Sequence, residues 1–258
     1  MPYALITGGS KGIGKAIALE MAARNFGILM VARNEDALEQ TAALIRLQYK
    51  VDVKWLSLDL SEKDAAATIF DWCNSSNLDV QVLVNNAGYG LAGSFSSYSL
   101  QEHLNMLQVN ISSLVSLTHH FIPYFKKREK GYILNISSSA AYQSTPGLAL
   151  YSASKALVLN FSRSLSFELS DTGISVTCVC PGGTDTDFPI RAGVGEKGLK
   201  LAEKVNMQPG KVAAIAVKAM FNNKTEVVTG GINKLGVFLA WLLPKKLVEK
   251  SAAKIYGV

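Results

Sequence analysis

The chain has 258 residues, of which 48% are hydrophobic and 18% charged, and its formal net charge is +6. This size and composition allow a large buried core and exclude extended disorder. The 26 basic residues are dispersed along the chain, so an anionic cofactor or substrate fits the charge better than nucleic acid does.

Cysteine, histidine and terminal patterns favour a reduced protein without a resident metal. The three cysteines, Cys73, Cys178 and Cys180, give no disulfide framework, and no histidine has metal-ligand spacing with them. The first predicted strand begins at Tyr3 without a basic and apolar leader, so we expect a cytoplasmic protein. The apolar run Leu235–Leu243 is shorter than the ~20 residues that cross a bilayer.

A glycine-rich turn follows the first predicted strand, Tyr3–Ile6, and precedes an apolar-periodic helix. The turn, Thr7–Gly14, reads TGGSKGIG. A helix N-terminus binds phosphate through its free N–H groups and its dipole, and glycines at 12 and 14 leave room for a pyrophosphate. An NTPase phosphate loop would require Ser or Thr at Ala16, so a dinucleotide site is favoured; a capping turn without ligand is the alternative.

Strand and helix patterns alternate along the rest of the chain. Further strands are predicted at Phe26–Ala32, Val51–Leu58, Val80–Val84, Tyr132–Ile136, Ile174–Val179 and Val227–Thr229. Helices are predicted to begin at an Asn34 cap and at a Ser61–Asp64 capping box, and two long ones to cover Leu100–Lys127 and Tyr151–Leu169. The alternation predicts a single α/β domain, 1–258: a doubly wound, mostly seven-stranded parallel sheet with helices on both faces.

Ligands of such sheets bind beyond the C-terminal ends of the strands. Arg33 lies just past the second strand, where NAD-specific sites usually carry an acid that binds the ribose 2′-hydroxyl. An Arg there, with Lys11 nearby, suits the 2′-phosphate of NADP instead. We therefore predict NADP(H) in preference to NAD(H), although Glu35 or Asp36 is an alternative ribose acid.

Tyr151 and Lys155 lie one helical turn apart. A phenol has a pKa near 10, and a nearby ammonium favours phenolate, so we predict a lowered Tyr151 pKa and a role in proton transfer. One of the three serines after the fifth strand could orient a carbonyl oxygen beside that phenol. Asn110, within a long helix, needs a partner if it is buried; it could cap, bridge helices or hold water.

Taken together and in order, these segments resemble the short-chain dehydrogenase/reductase family. The matching segments are Thr7–Gly14, Asp59-Leu60, Asn85–Gly88, Val109-Asn110, Ile136–Ala141, Tyr151–Lys155 and Pro181–Thr186. The resemblance implies that Tyr151 exchanges a proton with the substrate oxygen and that Lys155 lowers its pKa and holds the nicotinamide ribose. It also implies that Ser138 orients the carbonyl and that Asn110 holds a water linked to Lys155.

The resemblance further implies a set of cofactor-binding residues. Besides Tyr151 and Lys155, the set is Gly8, Ser10, Lys11, Gly12, Ile13, Gly14, Arg33, Asp59, Leu60, Asn86, Ala87, Gly88, Pro181, Gly182, Thr184 and Thr186. Asp59 would contact adenine, Asn86 the ribose region and Thr186 the nicotinamide carboxamide. Thr184 departs from the family, which often has Val or Ile there.

The resemblance implies reduction of a ketone, or oxidation of a secondary alcohol, and assembly into a homodimer or homotetramer. A 3-oxoacyl thioester or a lipid-like ketone is the expected substrate. The alternatives are an NAD-dependent alcohol, polyol or steroid dehydrogenase and a non-catalytic NADP(H)-binding sensor or scaffold. We expect residues 183–209 to form a lid over the substrate. The tail, 232–258, could cap the cleft, dimerise or touch a membrane surface.

Overall fold

The computed structural model describes residues 1–195, 199 and 206–256. Within this part of the chain seven strands form one parallel sheet in the order β3-β2-β1-β4-β5-β6-β7. The strands are β1 Tyr3–Thr7, β2 Gly27–Ala32, β3 Val53–Ser57, β4 Val80–Asn85, β5 Gly131–Ile136, β6 Ile174–Cys180 and β7 Glu226–Val228. The order reverses between β1 and β4, where a doubly wound sheet opens a crevice for ligands. The predicted fold class is confirmed.

Helices cover both faces of the sheet. Their bounds are α1 Gly12–Ala22, α2 Glu35–Tyr49, α3 Ala65–Ser75, α4 Leu100–Leu107, α5 Ser113–Lys127, α6 Ala149–Glu168, α7 Phe188–Arg191, α8 Pro209–Phe221, α9 Gly231–Leu242 and α10 Lys245–Tyr256. Successive strand side chains point to opposite faces, so Ala4 and Ile6 pack under α1, α2 and α8 while Leu5 packs under α3, α5 and α6. Both faces are therefore buried, which explains strands without polar alternation.

Of the two helix starts predicted from capping residues, the start of α2 is correct and the start of α3 is wrong. The Asn34 side chain accepts a hydrogen bond from the Ala37 N–H (2.7 Å) and caps α2 as predicted. The capping box predicted at Ser61–Asp64 is wrong, because α3 begins at Ala65 and the Asp64 side chain makes no cap bond. The Ser61 N–H donates to Asp59 Oδ1 (2.9 Å) instead, so this segment turns before the helix starts.

The long helix predicted at Leu100–Lys127 is present but interrupted. A π-helical turn at Gln108–Ser112 separates α4 from α5. The inserted turn contains Asn110, which is buried. Such turns break the regular hydrogen-bond ladder and often occur at functional sites.

The predicted lid and tail contain helices. The lid carries the short α7, and a bridge joins Thr184 to Met207; residues 196–198 and 200–205 of the predicted lid lie outside the described residues. The tail forms α9 and α10, and none of the described helices has the length and apolarity to cross a bilayer. Cys178 and Cys180 lie on one face of β6 as expected, both buried and unbridged.

Candidate active site

A cleft of about 730 Å³ lies at the C-terminal edge of the sheet. The segments that follow β1 through β6 line it, together with α7 and the end of α10. It contains every predicted site residue except Gly14 and Asn110. Residues distant in sequence therefore meet where the topology predicts a ligand.

The glycine turn forms one wall of the cleft. Gly8 and Gly12 have positive φ angles of 65° and 52°, which other residues rarely adopt. Ser10 through Ile13 line the cleft at the N-terminus of α1. Gly14 does not line it: a Cβ there would overlap the Gly8 carbonyl oxygen, so this glycine packs the helix onto the turn instead of making room for a pyrophosphate.

The end of β4 holds the glycine turn in place. Thr7 Oγ1 accepts hydrogen bonds from the N–H groups of Asn86 (3.0 Å) and Ala87 (3.1 Å). Asn86 Nδ2 in turn donates to the Thr7 carbonyl oxygen (2.9 Å). Asn86, which was predicted to contact the cofactor ribose, therefore also joins the end of β4 to the end of β1 through hydrogen bonds.

The charges of the cleft favour an anionic ligand. Among the described lining residues, four are basic and two acidic: Lys11, Arg33, Lys155 and Arg191 against Asp59 and Asp187. Arg33 Nη1 lies 3.3 Å from Asp59 Oδ2, and Lys11 Nζ lies 3.4 Å from Asp187 Oδ2. Exposed ion pairs of this kind are weak, so both cations are free to exchange partners with a phosphate.

Tyr151, Lys155 and Ser138 meet on the opposite wall. Tyr151 lies in the first turn of α6, and both Tyr151 and Lys155 are buried. Lys155 Nζ donates to the Ile136 carbonyl oxygen (2.9 Å) and lies 5.8 Å from the centre of the Tyr151 ring. Ser138 follows β5 and lines the cleft, whereas the Ser137 hydroxyl donates a hydrogen bond to the Lys155 carbonyl oxygen (2.7 Å).

Burial sets the protonation of the pair. Burial raises the pKa of Tyr151 to about 12, although the neighbouring Ser138 hydroxyl lowers it. Burial also lowers the pKa of Lys155 from its usual 10.5 to about 8. The prediction of a Tyr151 pKa below 10 is therefore wrong for the protein's own groups, because the lost hydration of the buried phenolate outweighs the effect of the Ser138 hydroxyl.

Asn110 bridges the interrupted helix to the cleft without lining it. Its Oδ1 accepts from the Tyr89 N–H (3.0 Å), and its Nδ2 donates to the Tyr89 carbonyl oxygen (2.9 Å) and to Ser154 Oγ (3.2 Å). A Cβ at Gly88 would lie 3.1 Å from Asn110 Oδ1 and 3.3 Å from Lys155 Nζ. Asn110 thus fixes the loop after β4 beside Lys155.

Four residues of the cleft lining were not predicted from the sequence: Tyr89, Phe188, Arg191 and Tyr256. The Phe188 ring lies 5.2 Å from the Tyr151 ring, and the Arg191 guanidinium lies 4.9 Å from the centre of the Tyr89 ring. Tyr256, at the end of α10, packs in the same cluster as Tyr151. Tyr89 directly follows the Asn85–Gly88 motif and Phe188 lies two residues after the Pro181–Thr186 motif, so both could have been found. Arg191 and Tyr256 have no local signal.

Comparisons with known proteins agree with this geometry. A family model described as short chain dehydrogenase matches residues 2–196. A very-long-chain 3-oxoacyl-CoA reductase of Anas platyrhynchos is 38% identical over 192 residues, which cover 69% of this chain but only 58% of that relative. A 17-beta-hydroxysteroid dehydrogenase type 3 of Mus musculus is 32% identical over 238 residues, covering 90% of this chain and 76% of the relative.

A solved structure extends the similarity through the tail. The short-chain dehydrogenase from Sphingobium yanoikuyae in complex with NADPH superposes with a TM-score of 0.83 at 27% identity. The match covers 100% of this chain and 95% of that one. The described C-terminal helices therefore belong to a fold that a solved relative shares.

Proposed function

Because this chain belongs to the short-chain dehydrogenase/reductase family, we propose that it reduces a ketone, or oxidises the matching secondary alcohol, with NADP(H). The observation that carries the proposal is the convergence of Ser138, Tyr151 and Lys155 on the cleft that the glycine turn closes. A bound nicotinamide supplies the hydride and, when oxidised, a positive charge. Residues of the chain supply the proton, orient the carbonyl oxygen and stabilise the charge that develops.

The proposed roles follow from the positions of the side chains. In reduction, Tyr151 gives its hydroxyl proton to the carbonyl oxygen as a hydride adds to the carbonyl carbon, and the phenolate is then reprotonated from solvent. Ser138 donates a hydrogen bond to the same oxygen and holds it beside the phenol. The Lys155 ammonium stabilises the negative charge of the Tyr151 phenolate until the phenolate is reprotonated. Asn110 acts as a positioning residue, since it holds the backbone of Tyr89 next to Lys155.

The dinucleotide would lie along the glycine turn and the strand ends. Ser10 through Ile13 would face its phosphates at the N-terminus of α1. Arg33 and Lys11 would bind the 2′-phosphate, which supports NADP(H) over NAD(H). The remaining contacts are proposed for Asp59, Leu60, the Asn86–Gly88 loop and the segment from Pro181 to Thr186, all of which line the cleft.

A lipid-derived ketone or a 3-oxoacyl thioester is the proposed substrate class. The half of the cleft beside Tyr151 is apolar and partly aromatic, with Leu148, Phe188, Val194 and Tyr256 in its lining. The relatives named above include a 3-oxoacyl-CoA reductase and a hydroxysteroid dehydrogenase. The homo-oligomer implied by the family resemblance and the cytoplasmic location expected from the N-terminal pattern stay predictions.

A screen of NADPH and NADH oxidation tests the function. The panel contains a 3-oxoacyl thioester, a steroid ketone, a long-chain ketone and a keto sugar, each with both cofactors. We expect turnover with NADPH and a lipid-like member, and slower turnover with NADH. NADPH binding without turnover on any member would favour the sensor or scaffold alternative, and a preference for NADH would contradict the cofactor assignment.

A further inference from the structure

The C-terminal helix α9 presents its large apolar side chains to solvent. Trp241 is 73% exposed. Four more side chains are between 53 and 69% exposed: Ile232, Leu235, Phe238 and Leu242. Of the eighteen large hydrophobic residues exposed in the described part of the chain, eight fall within residues 232–247. Six of these eight lie on α9 alone. Scattered exposed apolar residues are ordinary, but such a concentration on one helix is not.

The helix is oriented opposite to an ordinary surface helix. Its less exposed positions are Asn233, Val237 and Ala240: Ala240 is buried, Val237 is half-buried, and Asn233 Nδ2 donates to the Thr229 carbonyl oxygen (2.8 Å). Leu235, Phe238 and Leu242, at spacings of three and four, share the outward face. The fold therefore holds α9 by this narrow face, and among the described residues its largest side chains stay exposed, with the rings of Phe238 and Trp241 6.1 Å apart.

The next helix adds a row of positive charges. Lys246, Lys250 and Lys254 lie at four-residue spacing on α10, and all three are exposed. Residues 231–256 contain five lysines and one acid, Glu249. We call the exposed side chains of Ile232, Leu235, Phe238, Trp241 and Leu242, with these three lysines, the C-terminal patch.

We propose that the C-terminal patch binds an anionic lipid surface. Leucine and aromatic side chains next to lysines match the interface of a bilayer, where apolar groups enter the acyl boundary and lysines meet acidic headgroups. A second copy is a poorer occupant, because a symmetric contact through the patch would place the lysines of both copies in one interface.

The patch also connects to the cleft. Helix α10 begins two residues after Leu243 and has Leu247 in its first turn, both exposed, and its other end supplies Ile255 and Tyr256 to the cleft lining. Docking through the patch therefore holds the cleft within one short helix, about 18 Å, of the bilayer surface. That consequence for a lipid-like ketone rests on the proposed function; the docking itself does not.

Vesicle binding tests the proposal without any turnover. The full chain is sedimented with vesicles of phosphatidylcholine mixed with phosphatidylserine, and with vesicles of phosphatidylcholine alone. We expect binding to the mixed vesicles that weakens with salt and with loss of phosphatidylserine. The double variant Phe238→Ser/Trp241→Ser and the triple variant Lys246→Glu/Lys250→Glu/Lys254→Glu should each lower the partition coefficient about tenfold or more.

Matched variants elsewhere on the surface serve as controls. Leu47→Ser/Phe167→Ser removes two side chains that are each 83% exposed, and Lys63→Glu/Lys126→Glu/Lys127→Glu makes the same charge change; neither should alter binding. Trp241 fluorescence should shift to the blue on binding, and Trp241→Phe should abolish the shift.

Three results would overturn the proposal. The first is no binding to either vesicle. The second is an equal loss of binding in patch and control variants. The third is a dimer in lipid-free buffer that Phe238→Ser/Trp241→Ser dissociates, which would assign the patch to a second copy.

Discussion

Lys155 carries a buried positive charge at neutral pH, and this has a cost for folding. Below pH 8 the lysine is charged in both the folded and unfolded chain, so the folded state bears the full desolvation cost. Above 10.5 it is neutral in both, and the cost is gone. Its contribution to the free energy of unfolding therefore rises between pH 8 and 10.5, by about 3 kcal/mol for a shift of this size.

The variant Lys155→Met isolates this effect. We expect the free energy of unfolding of the variant, minus that of the natural chain, to be largest below pH 8 and to shrink by up to about 3 kcal/mol towards pH 10.5. Urea unfolding at several pH values measures it. The Ile136 carbonyl oxygen loses its donor in the variant, but that cost is independent of pH and cancels. A difference that stays constant with pH would contradict the buried charge.

Arg33 decides the cofactor preference in this account. Arg33→Asp places an acid beside the proposed 2′-phosphate and beside Asp59, so the KM for NADPH should rise about tenfold or more while the KM for NADH does not rise. Arg24→Asp, at an exposed arginine paired with Glu20 at the far end of α1, is the control and should leave both constants unchanged. An unchanged KM for NADPH in Arg33→Asp would remove Arg33 from the site.

The identity of the site residues could be predicted from the sequence, but the pKa of Tyr151 could not. Tyr151 and Lys155 are recognised by their spacing, and Ser138 by its place after a strand. These are local features, so the sequence pattern and the family resemblance identify all three residues. The raised pKa of Tyr151 is not local, because it depends on burial under Phe188 and Tyr256, which arrive from other parts of the chain.

At the scale of elements, the glycine turn depends on close packing as well as on ligand binding. A Cβ at Gly14 would overlap the Gly8 carbonyl oxygen and approach Asn86 Nδ2, so the start of α1 would have to move. We expect Gly14→Ala to lower the free energy of unfolding by about 2 kcal/mol or more, measured by urea unfolding.

A glycine in open space is the matched control for Gly14. A Cβ at Gly236, inside α9, would meet no atom within 4 Å, so Gly236→Ala should raise stability by about 0.5–1 kcal/mol. Equal effects of the two substitutions would contradict the packing role of Gly14.

Element boundaries were predictable where one local interaction decides them. The Asn34 cap needs only its own side chain and an N–H three residues on, so the pattern is sufficient. At Ser61–Asp64 the pattern fails because Asp59, outside the motif, takes the Ser61 N–H. The π-helical turn was not predictable, since Asn110 is held by Tyr89 and Ser154 from other segments.

At the scale of the whole molecule, the alternation of strands and helices was enough to predict the sheet. The β2 strand reads as apolar on both faces, strand and helix patterns alternate along the chain, and right-handed crossovers then leave few topologies. The return of the C-terminal helices to the cleft is different. It depends on packing between segments more than 100 residues apart, Tyr256 against Tyr151, which no local pattern encodes.

Tyr256 therefore limits the room for substrate. Tyr256→Ala removes a ring from the cleft lining, so the ratio of kcat/KM for a bulky ketone to that for a small one should rise about tenfold. Steady-state kinetics with two ketones measures it, and Phe167→Ala, an exposed aromatic on α6, is the control. A ratio unchanged in Tyr256→Ala would place the substrate elsewhere.

The proton transfer assigned to Tyr151 is tested most directly by Tyr151→Phe, in which NADPH affinity and the rate of NADPH oxidation with the best ketone are measured on the same preparation. We expect a rate lower by about 10²–10⁴-fold with the dissociation constant for NADPH unchanged. A rate within a few-fold of the natural chain, with NADPH still bound, would contradict it.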